Sequence, residues 1–324
     1  MVSLREMKEK GYVPQKMFLK LMLGGTLSLS KTILFNLGDL KKVRRMRPGE
    51  KRYVRPPKKY TLPPYREGMQ YCDSDEKYLR PTLYCNPRAP EVIALANQLG
   101  AFKKSDYEYA EAAFEFVKRN LPLEIVPMDG VECTLRRGTG TCFHLISAFI
   151  ALCRAAGIKA RYKVFAMNLV KAWYDTMIDV DPMIKKWYDS MGYFMIEGEG
   201  EAYIDGKWVV AHVGPTPERQ AAGGVPITKF GEDSLGNWFF ALPGTIMRME
   251  SIPYGFGGAT KILKKIAPGS MERVNISIQE QIERGRKIIE EAGGEEAYNE
   301  RVRAKKMKMP TVELNAHQGL IIEE

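Results

Sequence analysis

The chain has 324 residues, of which 45% are hydrophobic and 27% are charged. These proportions are typical of folded globular proteins and exclude a disordered or collagen-like chain. The formal charge of +10 is concentrated at the amino-terminal end, because residues 1–68 contain 17 Lys and Arg against five Asp and Glu. The rest of the chain is nearly neutral, so an electrostatic partner is expected at this amino-terminal arm.

The amino-terminal arm starts with a charged segment that is unlike a signal peptide. An apolar stretch over residues 17–37 is interrupted by two lysines and by Gly24 and Gly25. We predict one or two short helices that break at these glycines, and no transmembrane span. The apolar residues are expected to pack in a groove of the body or of a partner, and the alternative is peripheral membrane contact through residues 17–59.

Residues 41–59 form a basic strap with ten cationic residues and one acidic residue, flanked and interrupted by prolines. Proline at this density favours an extended conformation. Three contacts are open for the strap: an acidic part of the protein's own body, another subunit, or an anionic partner such as nucleic acid. The arm and strap, residues 1–68, are predicted to be a segment outside the core.

The middle of the chain alternates between helical and strand patterns. Three helices are predicted from their start signals and apolar periodicity, over residues 90–99, 105–120 and 141–156. A strand is expected after Ile158, followed by an irregular, tryptophan-containing insertion over residues 166–194. A hairpin is then predicted, because Asp205-Gly206 is a strong turn signal between two segments of alternating polarity, residues 197–204 and 207–213.

The carboxyl-terminal part shows no clear regular element before Pro268. A capping-box pattern at Ser277 and Glu280 predicts the start of a helix, and a last helix is predicted over residues 295–306. The domain prediction is therefore a core over residues 69–268, which includes the insertion, and a helical extension over 269–324. His317 is assigned to the surface, and substrate specificity is expected from the insertion and from the aromatic segment at residues 238–240.

The five cysteines are odd in number and widely spaced, which argues against a secreted disulfide framework and against a paired CxxC zinc site. A cytoplasmic location is expected. The chain also has no clear nucleotide, flavin or nicotinamide fingerprint, so no cofactor is predicted. The cysteines are Cys72, Cys85, Cys133, Cys142 and Cys153.

Cys142 follows a turn of the sequence Gly-Thr-Gly-Thr, residues 138–141, and directly precedes the predicted helix over 141–156. Its sulfur is therefore expected at the positive end of a helix dipole, where a thiolate is favoured. A buried structural cysteine is the alternative interpretation. His144 lies about 200° further around that helix, so it is predicted to face away from the thiol as a bonded core histidine.

The segment from Gly138 through Cys142 to Arg161, which includes Ala151, Arg154 and Gly157, resembles the core signature of the transglutaminase-like superfamily. That family's fold is similar to papain's. The resemblance continues in YLRPT and AEAAFEFVKRNL before Cys142 and in AYIDGKWVVAHVGPT after it, and it covers roughly residues 78–250. It implies an α+β fold in which a helix carrying the cysteine packs on an antiparallel sheet, here with helical extensions at both ends.

In that family the cysteine attacks an amide carbonyl, a histidine on the next strand is its base, and an aspartate one strand later orients the histidine. The present chain departs from this pattern. Aligned on Asp205-Gly206 and Trp208, the histidine position holds Glu197 and the aspartate position holds His212. The family glutamate is retained as Glu201.

Three explanations of this exchange are open. The first is a rearranged triad, with Cys142 as nucleophile, His212 as base and Glu197 as its orienting group. The second is a site without catalysis, in which the fold serves as a scaffold that binds protein or nucleic acid. The third is a divalent cation held by Glu197, Glu199 and Glu201 with His212, against which an exposed polar strand face is the simpler account.

The leading hypothesis is thiol-dependent acyl transfer or hydrolysis at an amide or isopeptide-type bond through an acyl-Cys142 intermediate, acting on a peptide or protein. Backbone amides near Cys142 are expected to form the oxyanion site. The resemblance to the family implies supporting roles for four residues. For the tryptophan among them, core packing is an equally good interpretation. The four residues are Gly140, Thr141, Glu201 and Trp208.

Overall fold

The computed structural model describes residues 15–168, 171–191, 194–235, 240–242 and 244–304. Trp238, Phe239 and His317, for which roles are predicted from the sequence, lie outside these ranges. The helices, numbered in chain order, are α1 Lys16–Phe35, α2 Leu37–Val43, α3 Pro90–Leu99, α4 Asp106–Asn120, α5 Val131–Arg137, α6 Cys142–Ala155, α7 Lys171–Trp173, α8 Pro182–Met191, α9 Pro217–Ala222, α10 Gly258–Ile266, α11 Pro268–Ala292 and α12 Glu295–Ala304, with a π-helix at Tyr174–Ile178.

An antiparallel sheet lies against α6. Its strands are β1 Ala160–Asn168, β2 Phe194–Ile204, β3 Lys207–Ala211, β4 Phe240–Ala241 and β5 Met247–Met249. The main order is β3-β2-β1-β4, and β5 also pairs with β1. The predicted hairpin is confirmed, because β2 and β3 pair from Ile204 and Lys207 outward. The predicted α+β fold, with the Cys142 helix packed on an antiparallel sheet, is confirmed as well.

Two glycines of β2 lie where a larger side chain would not fit. A Cβ at Gly200 would lie 2.6 Å from the ring of Phe149 in α6, and a Cβ at Gly198 would lie 2.8 Å from the carbonyl oxygen of Lys163 in the neighbouring strand β1. Because side chains alternate along a strand, the three glutamates next to these glycines point to the opposite face. The sequence pattern Glu-Gly-Glu-Gly-Glu therefore fixes both the helix contact and the direction of Glu197.

Helix α1 runs unbroken through Gly24 and Gly25, so the predicted break is wrong. The helix packs on α8, and the indole nitrogen of Trp187 donates a 3.0 Å hydrogen bond to the carbonyl oxygen of Gly25. This packing compensates for a cost of about 1 kcal/mol for each glycine in a helix. By length and composition α1 could also cross a membrane, although 33% of its most apolar 18-residue segment is buried inside the protein.

Three further local predictions are wrong. The insertion is helical rather than irregular, because α7, the π-helix and α8 occupy it. The stretch before Pro268 contains α9, α10, β4 and β5. The capping-box pattern at Ser277 lies inside α11, which starts nine residues earlier at Pro268, because packing of its first turns on the body outweighs a local start signal.

Residues of the basic strap contact carboxylates on the body. The guanidinium of Arg55 donates 2.8 and 2.9 Å hydrogen bonds to the buried carboxylate of Glu124. Lys51 lies 3.7 Å from Glu280, and Lys59 lies 3.8 Å from Glu218. Glu124 in turn accepts a hydrogen bond from the Thr139 hydroxyl, so the strap is tied to the segment that leads into Cys142.

Candidate active site

Cys142 is the first residue of α6, and a buried histidine fixes the turn before it. The amide of Thr141 donates a 3.0 Å hydrogen bond to Nδ1 of His144, and Nε2 of His144 lies 3.1 Å from Oδ1 of Asp129. The predicted role of His144 as a bonded core histidine is confirmed, and burial lowers its pKa. A Cβ at Gly140 would lie 2.4 Å from Cβ of His144, so this turn requires glycine.

The Cys142 thiol lies beside the carboxyl group of Glu197, because a Cβ at Gly214 would lie 3.7 Å from Cβ of Cys142 and 3.9 Å from Oε1 of Glu197. Glu197 is buried, and its Oε1 accepts a 3.0 Å hydrogen bond from the amide of Gly198. Burial raises the pKa of Glu197 to about 7. Burial and then the Glu197 charge raise the pKa of Cys142 well above its usual value. The thiolate expected from the helix dipole is therefore wrong for the resting protein, because local desolvation outweighs the dipole.

Arg219 supplies a buried positive charge to this pair, and the sequence analysis missed it. It lies in α9, where Nε donates a 2.9 Å hydrogen bond to Oε1 of Gln281 and the guanidinium stacks 4.7 Å from the ring centroid of Trp173. Burial lowers the pKa of Arg219 to about 10, while the charges of Glu197 and Cys142 act in the opposite direction. Thr216 and Pro217 form a helix start signal that could have indicated α9, but nothing local indicates the direction of the arginine.

His212 follows β3 and lies among a second group of buried polar side chains. Its Nδ1 is 3.3 Å from Oγ1 of Thr228, and burial followed by the charge of Lys118 lowers its pKa well below the usual value. Lys118 donates to Oε1 of Gln220 at 2.8 Å and to the carbonyl oxygen of His212 at 3.2 Å. Burial lowers the pKa of Lys118 to about 7. The structure therefore brings Glu197 to the thiol and groups His212 with Lys118 and Thr228.

The other two glutamates of β2 have separate partners. Glu199 bonds the amide of Ser234 at 3.0 Å and Nζ of Lys163 at 2.9 Å, and Glu201 bonds Nε of Arg161 at 2.6 Å. All three glutamates are buried, so the expected exposed polar face is wrong. Within the described ranges, no cluster of three His, Cys, Asp or Glu side chains could hold a metal ion.

Trp208 packs away from the thiol. Its ring lies 3.7 Å from the guanidinium carbon of Arg161 and 5.3 Å, centroid to centroid, from the ring of Tyr78. Arg161 is the same residue that holds Glu201. These contacts indicate that Trp208 and Glu201 have structural roles at the β2–β3 edge. They favour packing, rather than a role beside the thiol, as the function of the tryptophan.

A cavity of about 390 Å³ opens onto Cys142 and Glu197. Its walls come from α1, α6, α7, α8, α10 and α11, from the π-helix and β2, and from the segments over residues 123–128 and 255–257. Of the described residues that line it, Glu197 alone carries a formal charge. The apolar lining includes Met22, Leu123, Ile125, Val126, Met128, Phe143, Trp173, Met177, Ile178, Ile184, Trp187, Met191, Ile196, Phe256, Ile262, Leu263, Met271 and Val274.

The structure places a cysteine at the start of a helix that packs on an antiparallel sheet, and comparison with known families relates this arrangement to one superfamily. Residues 93–212 match the family model of the transglutaminase-like superfamily. This part of the chain is therefore a transglutaminase-like domain, which confirms the resemblance found in the sequence. The matched region contains Cys142 and Glu197, and its last residue is His212.

Two further comparisons complete this picture. No curated protein matches the chain. Among solved structures, the chain is similar to a "Putative Cysteine Protease" from Cytophaga hutchinsonii, with 18% sequence identity and a TM-score of 0.33. That match covers 55% of this chain and 52% of the other, so it spans about half the length of each protein.

Proposed function

We propose that this protein is a thiol-dependent acyl-transfer enzyme, in which Cys142 forms the acyl-enzyme and Glu197 accepts the thiol proton. The observation that carries the proposal is the position of the buried Glu197 carboxyl group beside the Cys142 thiol, together with its pKa of about 7. A general base works best when its pKa lies near the operating pH. Glu197 thus has both the contact and the proton affinity for this role.

The reaction divides into two steps. In the first, Sγ of Cys142 attacks the acyl carbonyl carbon while its proton moves to the Glu197 carboxylate, and the leaving group takes that proton as its bond to the carbonyl breaks. In the second, Glu197 accepts a proton from water or from an acceptor amine, which attacks the thioester and releases Cys142 as a thiol. Hydrolysis and transfer differ only in this second nucleophile.

Two groups support the negative charge that develops on the carbonyl oxygen. The amide of Phe143, the second residue of α6, lowers the pKa of the Cys142 thiol, so it acts on the reacting sulfur. Arg219 adds a buried positive charge whose Nη1 has no hydrogen-bond partner among the described residues. Amides at a helix start together with a buried cation favour an oxyanion.

The test uses p-nitrophenyl acetate as an acyl donor, because the proposal concerns the nucleophile and not a particular substrate. We expect a burst of p-nitrophenolate and an acetyl group on the Cys142 peptide in mass spectrometry. Cys142→Ala should lose both, while the matched control Cys133→Ala should keep them. Equal labelling of Cys133 and Cys142, or an unchanged burst in Cys142→Ala, would contradict the proposal.

A second pair of variants separates the two possible bases. If Glu197 is the base, Glu197→Gln should slow the burst by about 10²- to 10⁴-fold. His212→Gln should then retain most of it, with circular dichroism confirming the fold of both variants. Loss in His212→Gln with retention in Glu197→Gln would instead support the triad in which His212 is the base.

A further inference from the structure

The cavity beside Cys142 offers few of the hydrogen-bonding groups that a peptide requires. An extended peptide carries an amide donor and a carbonyl acceptor at every residue, and burying them without partners is costly. Eighteen of the 27 described residues that line the cavity are Met, Leu, Ile, Val, Phe or Trp. Methionine is flexible enough to follow the varied shapes of an apolar ligand. Such walls match a chain of methylene groups better than a polypeptide.

The polar atoms at the site lie where a reacting carbonyl is needed. Cys142 and Glu197 both line the cavity and lie beside each other. Ligand pockets of this size combine apolar walls with a few placed polar groups that fix the orientation of the ligand. A ligand with an apolar chain and one reactive carbonyl would satisfy both parts of the cavity.

The surface beside the cavity is also amphipathic. Leu23 and Leu27 of α1 are exposed, and each directly follows a residue that lines the cavity, Met22 or Thr26. On α10, Ile262 lines the cavity and remains 38% exposed, next to the exposed Lys261. Apolar side chains beside lysines suit a molecule with an apolar chain and a polar or anionic head.

We propose that the substrate is a long linear acyl chain joined as a thioester, with its chain in the cavity and its carbonyl at Cys142. This inference rests on the proposed function and specifies its substrate class. The C–S bond of the substrate breaks as the bond to Sγ forms, and the departing thiolate takes the proton that Glu197 received from Cys142. A thiol is a better leaving group than an amine, and this suits a site in which the carboxyl group of Glu197 is the proton donor beside the nucleophile.

The central test is the dependence of Cys142 acylation on chain length. Acetyl, hexanoyl and decanoyl thioesters of N-acetylcysteamine are compared by stopped reaction and intact-protein mass spectrometry. Each buried methylene contributes about 0.8 kcal/mol, so the second-order rate constant should rise about fourfold per methylene until the cavity is full. Acylation of Cys142 that is independent of chain length, or faster with a glutamine peptide, would overturn the inference while leaving the proposed function intact.

Binding is measured separately from chemistry in Cys142→Ala. A brominated fatty acid should quench the fluorescence of Trp173 and Trp187, which line the cavity, and decanoic acid should reverse the quenching. Ile262→Glu places a charge at the cavity and should weaken this binding at least tenfold. Its matched control is Ile246→Glu, because Ile246 is similarly exposed and does not line the cavity. Equal binding in both variants, or no quenching at all, would overturn the inference.

The acyl chain could come from solution or from a lipid surface, and the same assay distinguishes the two. The decanoyl thioester is supplied either free or within vesicles of anionic phosphatidylglycerol. Faster acylation with vesicles, lost when Leu23 and Leu27 are changed to Ser, assigns the source to a lipid surface. Equal or slower acylation with vesicles assigns it to solution. If no thioester labels Cys142 and p-nitrophenyl acetate also fails, the proposed function itself is wrong.

Discussion

Burial of the Glu197 carboxyl group should lower the free energy of unfolding at alkaline pH. The ordinary pKa of a glutamate is 4.5, and burial raises that of Glu197 to about 7. Between these values the folded protein holds a proton that the unfolded chain has released, so stability falls as the pH rises. At 1.36 kcal/mol for each pKa unit, the loss reaches about 3 kcal/mol above pH 7.

Glu197→Gln removes this cost because an amide does not ionise. We expect the free energy of unfolding in urea to exceed that of the wild type by about 3 kcal/mol at pH 8, and by less than about 1 kcal/mol at pH 5. Glu283→Gln, at an exposed position of α11, is the control and should show no pH-dependent difference. A Glu197→Gln variant that is less stable at pH 8, or whose difference is the same at both values of pH, would refute the reasoning.

Two other predictions concern glycines. A Cβ at Gly214 would lie 3.7 Å from Cβ of Cys142, which is an ordinary contact, so Gly214→Ala should fold normally. The larger side chain of Gly214→Leu should instead slow alkylation of Cys142 at least tenfold, as measured by peptide mass spectrometry. A Cβ at Gly285 would lie 1.7 Å from the carbonyl oxygen of Glu218, so Gly285→Ala should destabilise the protein by about 3 kcal/mol or more in urea. Gly38 has open space around it, so Gly38→Ala should instead stabilise by up to about 1 kcal/mol; a gain at both glycines would contradict the close helix contact.

The sequence predicts those parts of the fold that local chemistry determines. Pro90 and the left-handed Gly100 bound α3 as predicted, and Ser105 with Glu108 forms the predicted capping box of α4. The Asp205-Gly206 turn sets the hairpin register in the same way. At these positions one or two residues determine the backbone conformation independently of their surroundings, so the sequence alone is sufficient to predict it.

The remaining features depend on contacts between distant segments. Packing of α1 on α8 overrides the break at Gly24 and Gly25, and coverage of the β2 face buries glutamates that a strand pattern places at the surface. The protonation state of Cys142 likewise depends on distant segments. A helix start favours the thiolate, but burial and the charge of Glu197 raise the pKa of the thiol. Arg219 reaches the site from α9, outside the matched domain, so no motif there signals it.

The central claim is that Glu197 takes the proton of Cys142, and the most direct test is the rate of Cys142 alkylation by iodoacetamide as a function of pH. Cys133 in the same molecule serves as the internal reference. The account predicts that the rate for wild-type Cys142 rises about tenfold for each pH unit up to about 7 and then levels off, because the Glu197 carboxylate is then fully formed, whereas in Glu197→Gln the rate shows no change of slope near pH 7. A profile for Cys142 that is the same in the wild type and in Glu197→Gln would contradict it.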